Sequence, residues 1–119
     1  MLVVAMINLR HTFSQDLSSG ALNLEKEFVY DTELIQVMLR FNTPVTEQIT
    51  ITFVSRDGSD YDTPIDTELM IANDHYILSR VTQPIVIQTG DKIKIQCTNA
   101  NGIGTVYGTI LMGVSNGRQ

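Results

Sequence analysis

Between Pro84 and Met112 the chain alternates apolar and polar residues with a period of two. Ile85 and Ile87 alternate with Val86 and Gln88, and Gly90-Asp91 then supplies a turn. Ile93, Ile95 and Cys97 alternate with Lys92, Lys94, Gln96 and Thr98, Asn99 to Gly104 form a loop of turn formers, and Val106 to Met112 is apolar again. In a strand successive side chains point to opposite faces, so this spacing gives one dry face and one wet face. Turn formers between such runs mark successive antiparallel strands.

The rest of the chain follows the same grammar. Leu34 to Phe41 predicts a strand with Ile35, Val37, Leu39 and Phe41 on one face and Gln36, Met38 and Arg40 on the other. Asn42-Thr43-Pro44 breaks it, because proline lacks the N–H that a central ladder requires. Gln48 to Val54 predicts the next strand, with Ile49, Ile51 and Phe53 inward, and the pair is expected as a hairpin or as neighbours across a turn. Asp57-Gly58 predicts a tight turn, Thr67 to Ile71 and Tyr76 to Arg80 predict short strands, and Asn73-Asp74 predicts the turn between them. Ala21 to Tyr30 reads as strand, with one helical turn around Leu24 to Phe28 as the alternative, since Glu25-Lys26-Glu27 are good helix formers. The expected fold is all-β: one antiparallel β-sandwich of about eight strands, jelly-roll-like, spanning residues 1–119. Residues 1–13 form an N-terminal arm or edge strand that pairs with the domain's own sheet or with a neighbouring subunit. The opening MLVVAMINL lacks a preceding positive region and is too short to cross a membrane as a helix, so it is expected to stay in the mature protein.

Charge narrows the partners. Thirteen acids against eight bases give a net charge of −5, and the closest basic pair, Lys92 and Lys94, lies on one wet strand face. Phosphate backbones and anionic membranes reward concentrated positive charge, so neither nucleic acid nor a membrane surface is an expected partner. A single cysteine excludes an internal disulfide, and Cys97 falls in its strand's apolar register, as a buried thiol would.

Chemistry-bearing constellations are sparse. Asp57, Asp60 and Asp62 are the candidate metal ligands, since hard cations take several oxygens from a flexible loop. Their spacing is not that of an EF-hand, and aspartates also simply build turns, so a solvated loop is the competing reading. His11 and His75 lie in unrelated segments and no nucleophile elbow is present, so neither catalytic residues nor a cofactor are expected. Asn101-Gly102-Ile103-Gly104 does not precede a helix and is not a phosphate cradle. Sugar-binding sandwiches stack flat rings on their ligands; this chain has no tryptophan, and Tyr61 is the one tyrosine expected as an exposed platform. Met38, Val54, Met70, Val86 and Leu111 fall on nominally outward strand positions, where exposed apolar residues would mark subunit contacts. The interface candidates are Leu2, Val4 and Met6 of the arm, together with Met38 and Tyr61.

The segment FVYDTELIQVMLRFNTPVTEQITITFVSRDGSDYDT, followed by PIVIQTGDKIKIQCTNANGIGTVYGTIL, resembles the small β-sandwich decoration (cement) proteins of tailed bacteriophages over roughly Phe28 to Leu111. That resemblance implies a non-enzymatic virion protein on the capsid surface. It implies homo-oligomers, often trimers, that bind the major capsid protein and strengthen the shell. It transfers no individual binding residue. The alternative from another class is a carbohydrate-binding or adhesin module, such as a tail-fibre or receptor-binding component, with its site around Tyr61.

Overall fold

Two unusually long strands organise the molecule. The computed structural model describes residues 6–29 and 31–115, with side chains from 9 to 113 within that range. Its strands are β1 (Met6–Asp16), β2 (Leu22–Glu27), β3 (Thr32–Val54), β4 (Thr63–Ser79), β5 (Ile85–Ile87), β6 (Lys92–Cys97) and β7 (Thr105–Ser115). A single 3-10 turn, Ser59–Tyr61, joins β3 to β4. All pairings are antiparallel, and no α-helix occurs among the described residues. Of the segment Ala21 to Tyr30 read as strand, Leu22–Glu27 is strand and not a helical turn, Phe28 and Val29 lie beyond it, and Tyr30 lies outside the described residues.

The sheet order is β1-β7-β3-β6-β2, with β4 and β5 also on β3. The two halves of β3 have different neighbours. Glu33 to Phe41 pairs with β7, while Ile49 to Val54 pairs with β6. On its opposite edge β3 pairs with β4, from Gln36 against Ser79 to Phe53 against Thr63. One end of the sheet is therefore the quartet β1-β7-β3-β4, and the other is β2-β6-β3-β4.

Both long strands bend between these quartets. The β3–β4 ladder shifts register between Arg40, Val45 and Glu47, and Ala72 of β4 has a φ of 48°. The Tyr76 hydroxyl donates to Asp66 Oδ2 at 2.5 Å. Ten residues of straight strand would span about 33 Å, so β4 must double back, and the sheet is curled upon itself. Its extents are 54 × 30 × 21 Å.

This corrects the expected segmentation. Leu34–Phe41 and Gln48–Val54 are one bent strand and do not pair with each other. Thr67–Ile71 and Tyr76–Arg80 are likewise largely parts of one strand, β4. Pro44 falls inside the register shift, where the ladder is already interrupted and its missing N–H is harmless. A second shift, between Leu34 and Gln36 on the β7 side, sends Leu34 into the core and leaves Ile35 only half-buried. Met70, expected outward, is buried opposite Glu47.

The curl encloses one apolar cluster. Val37, Leu39, Phe41 and Ile110 meet Ile49, Ile51, Ile93 and Ile95 within it. Removing such a side chain from water stabilises by about 1.5–3 kcal/mol. Phe13 lies over Gly108, where an added Cβ would sit 2.1 Å from its ring, so glycine here admits the aromatic. The last strand, β7, is central between β1 and β3, as its two apolar faces suggest.

Candidate assembly surface

The outward faces of the two quartets carry different chemistry. On β1-β7-β3-β4, register places Thr12 beside Thr109, Met38 and Ile77, and Arg10 beside Leu111, Gln36 and Ser79. The next row is Ser14, Tyr107, Arg40 and His75, with the Arg40 guanidinium 5.6 Å from the Tyr107 ring centre. Met38, Leu111, Tyr107 and Ile77 thus form an apolar centre bordered by polar residues.

On β2-β6-β3-β4, the outward rows are Glu25, Lys94 and Thr52, and Glu27, Lys92 and Val54. Lys92 Nζ and Lys94 Nζ each lie 3.6 Å from a Glu25 carboxylate oxygen. Gln96, Asn23 and Thr50 continue this wet face.

The long edge strand connects the two. Among the described residues β3 is the one strand that pairs with β4, so β4 leaves its far edge unpaired. Along it Leu69, Ile71 and Ile77 are 60%, 70% and 55% exposed. Such an edge offers backbone hydrogen bonds to a second chain. Apolar side chains beside it add the non-directional part of an interface.

The predicted site residues scatter differently. Met38 is half-buried on the outward face, beside Thr109 and Ile77. Tyr61 is 65% exposed on the 3-10 turn. Leu2 and Val4 lie outside the described residues. Met6 is described by its backbone alone, which pairs with Ser115 inside the chain. Val86 is exposed, Leu111 and Val54 are half-buried, and Met70 belongs to the core. Asp62 Oδ1 accepts the Ser55 N–H at 2.9 Å and closes the loop. No group of three or more His, Cys, Asp or Glu side chains with metal-holding geometry occurs among the described residues, so Asp57, Asp60 and Asp62 do not converge.

Sequence reasoning missed the edge triad Leu69, Ile71 and Ile77. Leu69-Met70-Ile71 is an apolar run whose inward member periodicity alone cannot identify, and the bend at Ala72 resets the alternation. It also missed Glu47, which is 1% exposed. The Glu47 carboxylate accepts the Thr98 hydroxyl at 2.7 Å and the Ala100 and Asn101 N–H groups at 2.9 Å. Three donors satisfy the buried charge, and in return it fixes the Thr98–Asn101 loop. Burial, with the Glu47 charge nearby, pushes the Cys97 thiol up to about 11, the inert thiol its register suggests.

No protein-family model and no curated protein matches the chain. Among solved structures it is similar to PirA, with a TM-score of 0.50 at 12% identity, over 87% of this chain and 92% of that one. At that identity the likeness is one of fold.

Proposed function

We propose that this chain is a non-enzymatic virion protein, a capsid decoration protein whose jelly-roll sandwich self-associates and binds the major capsid protein on the shell's outer surface. The sandwich reading is supported by the two pairing quartets, the doubled-back β4 and a thickness of 21 Å, near two sheets packed about 10 Å apart plus their outward side chains. The assembly reading rests on one observation. Leu69, Ile71 and Ile77 expose apolar area along the unpaired edge of β4, and half-buried Met38 of β3 lies beside Ile77, whereas the outward rows of β2 and β6 carry charge.

The mechanism is burial of that surface. Each Å2 of apolar area removed from water stabilises by about 25 cal/mol, and a lattice of identical contacts multiplies weak ones. A stiff module bridging neighbouring capsid subunits then resists expansion of the shell. The test is co-sedimentation with shells of the encoding virus stripped of this protein. Saturable binding that raises the shell's disruption temperature is expected; a chain left in the supernatant refutes the proposal.

The exposure of Tyr61 favours a second reading, a glycan-binding or adhesin module. Selective binding on a glycan array that is lost in Tyr61→Ala would establish it in place of the first.

A further inference from the structure

A second feature, independent of the apolar outer face, lies where the two limbs of β4 approach. Phe53 of β3, Thr63, Pro64 and Ile65 at the start of β4, Arg80 just past its end, and Ile85 and Val86 of β5 line a cavity of about 440 Å3. Its walls are mainly aliphatic and aromatic, with the Thr63 hydroxyl and one charge, that of Arg80, among them. Arg80 lies one residue past the end of β4 and is half-buried. Its backbone is held in place by the Arg80 N–H donating to the Ile35 carbonyl at 2.6 Å. Its Nε is buried with no hydrogen-bond partner, and no carboxylate among the described residues forms an ion pair with it.

A guanidinium Nε buried without a hydrogen-bond partner beside apolar side chains is costly unless an acceptor meets it. Of the acids adjoining the lining in sequence, Asp62 accepts the Ser55 N–H and Asp66 the Tyr76 hydroxyl. The guanidinium fork matches a carboxylate in two parallel hydrogen bonds, and a mostly apolar pocket with one oriented polar group is the usual form of a small-ligand site. The geometry points to a binding site for an apolar monocarboxylate, free or at the C-terminus of a peptide, with Arg80 holding the carboxylate and Phe53, Ile65 and Ile85 enclosing the body. This goes beyond the proposed role in assembly and does not depend on it.

The test is an amide-shift titration of the whole protein with 4-phenylbutyrate, with the neutral 4-phenylbutanol, and with an acetylated tripeptide ending in leucine as free acid or amide. Saturable shifts at Phe53, Ile65, Ile85 and Val86 are expected for the acids. A charge-assisted pair predicts binding at least about tenfold weaker for the alcohol or amide. Arg80→Met should lose the same factor and Arg80→Lys part of it; tighter binding of the peptide acid than of phenylbutyrate identifies a chain terminus as the occupant. The inference is overturned by the absence of saturable shifts up to about 10 mM, by shifts confined to other residues, or by equal binding of acid and alcohol to the unmodified protein. The last comparison stands even if Arg80→Met does not fold.

Discussion

The two outer faces of the curled sheet are built from the same alternation, yet one is a charged ladder and the other an apolar centre. Glu25, Lys92 and Lys94 keep β2 and β6 hydrated, while Met38, Ile77, Leu111 and Tyr107 leave the opposite face poorly so. Both faces sit over the same core, so core packing does not demand the difference. It is a property of the surface, which is where a binding role would be recorded.

The largest expected effect sets buried charge against surface charge. Glu47→Ala strips three neutral donors of the Thr98–Asn101 loop of their acceptor and should cost about 2–3 kcal/mol in urea unfolding. A loss under 1 kcal/mol would show that water replaces the carboxylate freely. Next, Met38→Asp combined with Ile77→Asp should weaken self-association by at least about thirtyfold, the scale of an interface hot spot. Lys94→Glu on the ladder should leave association unchanged by sedimentation velocity, and equal effects from both faces would erase the contrast.

Gly108→Ala comes third. Its methyl group would displace Phe13 and loosen β1 on β7, for an expected cost of about 1–3 kcal/mol by thermal unfolding. Cys97 gives a pH signature. Its thiol ionises at 9.0 unperturbed but at about 11 when folded. The unfolded chain therefore releases its proton first, and stability present below pH 9 is lost as pH rises from 9 towards 11. Cys97→Ala should flatten that decline, and an unchanged slope would place the thiol in water. The smallest effect is Glu25→Gln, which should cost less than about 1 kcal/mol and diminish further in high salt, as for exposed ion pairs.

The all-β class and most inward residues were legible because a period of two survives wherever a strand is regular. Ile93, Ile95 and Cys97 needed nothing beyond it. Legibility failed at the bends. Proline and turn formers at Asn42–Pro44 and Asn73-Asp74 carry the same signal whether a strand ends or bulges. Met70 sits in the apolar run Leu69-Met70-Ile71, where alternation alone does not say which member faces inward, and it is the one opposite buried Glu47. Of the candidate surface, Met38 could be read from regular strand, but Ile71 beside the bend could not. Arg80 drew no notice because an arginine's meaning depends on which limb folds over it.

The central claim is that the apolar face and open β4 edge are an assembly surface. Sedimentation velocity of the isolated protein at about 100 µM, where contacts of micromolar affinity are populated, tests it most directly. A discrete species at an integral multiple of 13.3 kDa, returning to monomer in the Met38→Asp, Ile77→Asp variant, is the predicted result. A monomer unaffected by those substitutions would contradict it.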